Sequence, residues 1–139
     1  ELGVARLLPV ITQRTVVERL NLDRLRAHAV EAAEQCDRTA LPVLEPERKL
    51  GALLQQWSSE RRLLFADEAG GTPLVQAINA APAAILIGPE GGFTDSEREA
   101  LRALPSAVAV SLGPRILRAD TAAVAAVALW MAAAGDWRH

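Results

Sequence analysis

Two apolar runs, residues 83–87 and 107–112, each end in a Gly-Pro loop, and one helical stretch opening on Thr94-Asp95-Ser96-Glu97 separates them. The continuous run 83–87 suits a strand buried on both faces, and 107–112 alternates as a strand. A helix between two such strands suits a parallel crossover, whose hand is almost always the same. Thr-x-x-Glu is the capping-box pattern, so the helix is expected to start directly after the glycines and run through Leu104, where Pro105 stops it.

The rest of the chain repeats this alternation. Residues 4–11 are predicted as a first strand and 22–36 as a helix, with Leu22, Leu25, Ala29, Ala32, Ala33 and Cys36 at helical spacing and Asn21 as its cap. Residues 42–44 form a candidate short strand, 49–57 a helix after the Pro46 turn, and 62–65 a compact strand. After the Gly70-Gly71 break come one or two helical turns at 74–79. A final helix is expected after Asp120 or Thr121, either of which can cap it. The class implied is α/β, a mostly parallel sheet flanked by helices.

Composition limits what this fold can do. The chain has 139 residues, half of them hydrophobic, which is enough for one domain with a real core. The single Cys36 has no internal partner, so the chain does not read as a disulfide-stapled secreted domain, and a cytoplasmic setting is expected. The apolar stretch 122–134 falls short of the roughly 20 residues of a membrane span. It is read as a buried helix, with no membrane association. Glu1-Leu2-Gly3 resembles the tail of a helix, so the chain is expected to begin inside a larger protein. Two histidines and one cysteine offer no cluster with metal-ligand spacing, so no metal is expected, and His28 is read as solvated. Trp57, Trp130 and Trp137 are read as core or interface anchors.

The chemistry concentrates in two loops, Ile87-Gly88-Pro89-Glu90-Gly91-Gly92-Phe93-Thr94 and Ser111-Leu112-Gly113-Pro114-Arg115-Ile116-Leu117-Arg118. Loops at the carboxyl ends of parallel strands are where open α/β sheets bind small molecules. Glycines there allow a ligand close to the backbone, and Pro89 stiffens the turn. The first loop has neither the Gly-Lys-Ser/Thr ending of a phosphate loop nor Gly-x-Gly-x-x-Gly spacing. Either loop can also be a purely structural turn, and Arg115 and Arg118 can simply be solvated.

These two segments, in this order, resemble the paired signatures of the RsmE family of ribosomal RNA uridine-N3 methyltransferases, in the SPOUT superfamily. Thr12-Gln13-Arg14-Thr15 is similar to the family's Thr-Glu-Arg-Ser stretch, and Glu31-Ala32-Ala33-Glu34-Gln35 to its Glu-Ala-Ala-Glu-Gln helix end. The resemblance spans nearly all of residues 1–139. It departs at Gln13, where an acidic residue is usual, at Ala119, usually Thr, and at Asp120, usually Glu.

The resemblance implies a SPOUT catalytic domain with a C-terminal trefoil knot, without the family's N-terminal PUA-like RNA-binding domain. It implies S-adenosyl-L-methionine as cofactor, N3 of a uridine in 16S ribosomal RNA as acceptor, the small ribosomal subunit as partner, and a homodimer. Cofactor contacts are expected from Ile87, Gly88, Pro89, Glu90, Gly91 and Gly92 on the methionine and ribose side, and from Leu112, Gly113, Ile116, Leu117 and Arg118 on the adenine side. Replacing the loop glycines is expected to block entry. Arg118 is the leading candidate to stabilise the developing uracil anion, with Arg14 as a second candidate that holds a phosphate or a uracil oxygen. Glu90 either orients a cofactor amine or satisfies backbone donors. A net charge of −2 and a pI near 5.7 supply no general attraction to a polyanion. Two alternatives stay open: a non-catalytic knotted RNA-binding or ribosome-assembly module, which Ala119 keeps in play although the intact glycine loops favour the enzyme, and a SPOUT methyltransferase with another RNA target.

Overall fold

The computed structural model describes residues 1–16 and 19–139. Among them the elements run β1 (Arg6–Leu7), β2 (Val10–Ile11), α1 (Leu22–Gln35), β3 (Val43–Leu44), β4 (Arg48–Lys49), α2 (Leu50–Gln55), β5 (Arg62–Ala66), β6 (Thr72–Pro73), α3 (Leu74–Ala77), β7 (Ala83–Leu86), α4 (Asp95–Ala103), β8 (Ala107–Ser111) and α5 (Ala119–Ala133). A 3-10 turn at Asp136–Arg138 follows. Every strand pairing is parallel, as the alternating pattern predicts.

The main sheet has the order β6-β8-β5-β7, and β1 with β3 and β2 with β4 form two small pairs. β5 is central because its run Arg62-Leu63-Leu64-Phe65-Ala66 is apolar on both faces. Alternation sends Leu63 and Phe65 to one side, where they meet Leu50 of α2 and Leu101 of α4. Leu64 goes to the other side, against Leu74 and Ala77 of α3 and Ala126 of α5. Two cores thus clamp one sheet between helix layers, and burying a side chain such as Leu64 contributes roughly 1.5–3 kcal/mol. Phe65 also meets Phe93 edge to face, with centroids 6.4 Å apart, which ties the loop after β7 to the first core.

Local rules account for the departures from the sequence expectations. The strand predicted at 4–11 divides into β1 and β2, because Pro9 has no N–H to give a ladder; its carbonyl instead accepts from the Arg48 N–H at 3.0 Å. The helix predicted at 49–57 shortens to α2, and Lys49 ends β4. Neither Asp120 nor Thr121 caps α5: Arg118 holds the cap position, and the Asp120 carboxylate accepts from the adjacent Thr121 N–H at 2.9 Å. Asn21 does cap α1, accepting from the Arg24 N–H at 3.1 Å. On α1 only Ala33 is buried, and Leu25 and Val30 face solvent. Trp57 and Trp130 pack against the two cores, whereas Trp137 is half exposed. No helix among the described residues is long and apolar enough to cross a membrane.

Candidate ligand cleft at the sheet edge

The chain leaves β5 for β6 at one edge of the main sheet, crosses to β7 at the other edge, and returns to β8 between β6 and β5. Because these strands are all parallel, the loops after β5, β7 and β8 come together beyond their carboxyl ends, the usual binding position of open α/β sheets. A cleft of about 620 Å³ lies there, within the range of small-molecule sites.

The two loops singled out in the sequence form its walls. Ile87, Gly88, Pro89, Glu90 and Gly92 lie on one side, and Leu112, Gly113, Ile116, Leu117 and Arg118 on the other. The first wall is a tight turn in which the Gly92 N–H donates to the Pro89 carbonyl at 2.8 Å and Gly92 takes φ +74°, a conformation that favours glycine. At Gly88 a Cβ would stand 3.1 Å from the Phe93 ring, so the absence of a side chain lets the ring close under the loop. In the second wall Gly113 has φ +114° and donates its N–H to Ser111 Oγ at 3.2 Å. Arg115 and Arg118 are exposed at this wall, and Ala119, where the resembling family carries Thr, also lines the cleft.

Two expected site residues stand elsewhere. Gly91 is exposed and does not line the cleft; a Cβ there would meet Arg14 Cβ at 3.4 Å, so a side chain would crowd Arg14 instead of the ligand space. Arg14 does not line the cleft either. Its Nη1 donates to the Gly91 carbonyl at 2.9 Å and, at the long limit, to the Phe93 carbonyl at 3.5 Å.

The floor was not singled out from the sequence. Asp67, Glu68 and Gly70, in the loop after β5, line the cleft between the two walls. Asp67 is buried at 6% exposure and fixes this loop. It accepts from Arg98 Nε at 2.9 Å, Arg102 Nη2 at 3.0 Å and the Ala69 N–H at 3.0 Å, while its own N–H donates to the Val110 carbonyl of β8. Burial pushes its carboxyl up, but the Ala69 N–H and the Arg102 and Arg98 guanidinia outweigh that and hold it below the usual carboxylate range. Arg98 reaches the cleft from α4, and Glu68 places its carboxylate where a Cβ on Gly92 would be 3.5 Å away. Its signal in the sequence is an acidic pair directly after the most apolar strand, with two glycines shortly beyond.

His28 and Cys36 are exposed, and no group of three or more His, Cys, Asp or Glu among the described residues is placed to hold a metal. The cleft offers backbone groups, an apolar wall and charges of both signs, which suit an elongated zwitterionic ligand.

Comparison with known proteins agrees with this geometry. The profile of the RNA methyltransferase domain family matches residues 1–131. Ribosomal RNA small subunit methyltransferase E of Rickettsia conorii is 32% identical over 133 residues, covering 92% of this chain and 54% of that protein. The protein of the same name from Synechocystis is 35% identical, covering 92% and 45%. The chain therefore spans about half the length of these curated relatives. A crystal structure of ribosomal RNA small subunit methyltransferase E from Neisseria gonorrhoeae, bound to S-adenosyl methionine, superposes with a TM-score of 0.85 at 30% identity, covering 94% of this chain and 57% of that one. A putative methyltransferase from Legionella pneumophila, also with bound cofactor, gives 0.81 at 31% identity, covering 97% and 58%. The chain belongs to the RNA methyltransferase domain family, and within it is similar to the ribosomal RNA small subunit methyltransferase E proteins.

Proposed function

We propose that the cleft binds S-adenosyl-L-methionine and that the chain directs methyl transfer to N3 of a uridine in 16S ribosomal RNA. The observation that carries this reading is the convergence of two glycine-bearing walls on a cleft at the carboxyl ends of the strands, in a chain whose structural neighbours have S-adenosyl methionine bound. Positive φ at Gly92 and Gly113 and the absent side chain at Gly88 make a cradle in which backbone groups reach the ligand.

The cofactor supplies an electrophilic methyl group on sulfonium sulfur. The chain's own task is positioning, since attack by the ring nitrogen must come nearly in line with the bond that breaks. Ile87, Gly88, Pro89, Glu90 and Gly92 take the methionine and ribose side, and Leu112, Gly113, Ile116 and Leu117 the adenine side, with Arg118 at the rim. Arg118, exposed on that rim, stabilises the negative charge that develops on the uracil imide as its N3 proton passes to solvent water. The acceptor RNA meets the cationic pair Arg115 and Arg118, because the chain's net charge of −2 draws no polyanion to its surface as a whole. The chain works as a homodimer in the cytoplasm. Exposed Val124 and Leu129 on α5 and Val75 on α3 supply the apolar surface that a second copy would cover.

Calorimetric titration with S-adenosylmethionine tests the cofactor assignment. Saturable binding supports it; no heat at millimolar cofactor leaves a non-catalytic RNA-binding module, the alternative that Ala119 keeps open. For the acceptor, the test is mass spectrometry of small-subunit ribosomal RNA from a strain lacking the protein, where loss of one N3-methyluridine is expected and an unchanged methylation pattern refutes the assignment. Arg118→Ala is expected to leave cofactor affinity intact and slow turnover about 100-fold or more. Full turnover in that variant would remove Arg118 from the mechanism.

A further inference from the structure

The turn formed by residues 12–15 stands outside the cleft, yet it is bonded to the cleft's first wall at both ends. Thr12 is buried and its backbone N–H donates to Thr15 Oγ1 at 2.9 Å, while the two hydroxyls meet at 2.8 Å, so the turn is internally fixed. From this turn Arg14 Nη1 reaches the Gly91 carbonyl at 2.9 Å and the Phe93 carbonyl at 3.5 Å. One residue earlier, the Gln13 N–H donates to Glu97 Oε2 at 3.1 Å. Glu97 is buried at 7% exposure, and its other oxygen accepts from the Thr94 N–H at 2.9 Å. A single carboxylate therefore joins the N-terminal turn to the residue that ends the glycine loop.

The geometry points to Arg14 and Glu97 as positioning residues: a two-point clasp from the turn at residues 12–15 that holds the glycine loop in its ligand-ready shape. Two carbonyls of the loop, at 91 and 93, accept the guanidinium, and the peptide between them carries the positive-φ Gly92. A loop with glycines at 88, 91 and 92 has many conformations open to it, and each restraint applied before the ligand arrives lowers the ordering cost paid on binding. A charged donor on a carbonyl is among the stronger single restraints available at a surface. Arg14 thereby acts on the ligand through the loop, not by touching substrate. The usual acidic residue at position 13 is dispensable for this device, because the contact uses the Gln13 backbone.

This inference rests on the reading of the cleft as the S-adenosylmethionine site, and the experiment separates the two. Amide hydrogen exchange without ligand is measured on the whole chain for wild type, Arg14→Met, Arg14→Lys and Glu97→Gln, with Gly92 and Thr94 as reporters. Their N–H groups are held by the Pro89 carbonyl and by Glu97. Arg14→Met is expected to speed exchange at both reporters roughly tenfold while leaving the β5 and β8 amides unchanged. Arg14→Lys, which keeps one charged donor, should restore part of the protection. Glu97→Gln has one carbonyl oxygen for two N–H groups and should release one end of the clasp.

Unchanged exchange at Gly92 and Thr94 in Arg14→Met overturns the proposal, as does acceleration spread equally over the β5 and β8 amides, which marks general destabilisation. Calorimetry with S-adenosylmethionine adds the second arm. If wild type binds, Arg14→Met should weaken binding roughly tenfold, and unchanged affinity refutes the clasp. If wild type does not bind, the cofactor reading fails, and the exchange data still decide whether the clasp exists.

Discussion

Asp67 shows how one buried charge can fix the floor of a site in place. Its carboxylate is fully enclosed, yet Arg98, Arg102 and the Ala69 N–H satisfy it, which offsets the desolvation that burial imposes. Because its pKa is lowered on folding, the unfolded chain takes up the proton at a higher pH than the native one. The stabilisation is thus full above the ordinary value of 3.8 and is lost as pH falls through the lower native pKa. In urea unfolding between about pH 6 and pH 2, Asp67→Asn should be less stable than wild type at the upper end, and the gap should close on acidification. A gap that is constant with pH would contradict this role. Gly92 carries a different constraint: at φ +74° a β-branched side chain is strained, and its Cβ would approach Glu68 on the cleft floor. Gly92→Val should cost about 1–3 kcal/mol of stability and abolish cofactor binding. At Gly91, where φ is not positive, the damage should be confined to the Arg14 contact, so comparing the two variants by calorimetry checks which glycine faces the ligand.

Among the elements, α4 was the most legible in sequence, because its start depends on neighbours three residues apart. Thr94 Oγ1 accepts from the Glu97 N–H at 3.3 Å while Glu97 returns the bond to the Thr94 N–H, the reciprocal box that Thr-x-x-Glu encodes. Thr94→Ala should cost about 1 kcal/mol, read as a lower thermal midpoint, and Thr94→Ser should recover most of it. The start of α5 was misread for a related reason. Asp120 and Thr121 have capping chemistry, but the turn of the second loop brings Arg118 to the cap position, and a loop's path is set by what it packs on. β6, two residues long and containing Pro73, carries too little pattern to be seen before β8 is there to pair with it.

Across the whole molecule, the proposed homodimer depends on apolar surface that the single chain leaves uncovered. Val124 is 57% exposed and Val75 59% exposed, on helices that share one layer of the fold. Light scattering should give twice the 14.8 kDa chain mass for wild type, and Val124→Glu should shift it toward the monomer with little loss of fold stability. A monomeric wild type would remove the dimer from the proposal.

The sequence by itself determined the α/β class, the two glycine-bearing walls and the capped helix between them, since hydrophobic period and turn chemistry act over a few neighbouring residues. Tertiary structure alone decided that the β5 loop, with Asp67 and Glu68, forms the floor, that Gly91 faces Arg14 instead of the cleft, and that Arg14 bonds to the glycine loop. Those contacts join residues 77 and 31 positions apart in the chain. No local pattern encodes such pairings: the main sheet brings the loops after β5, β7 and β8 together at the carboxyl ends of its strands, and packing of the turn after β2 on the β7 loop adds Arg14.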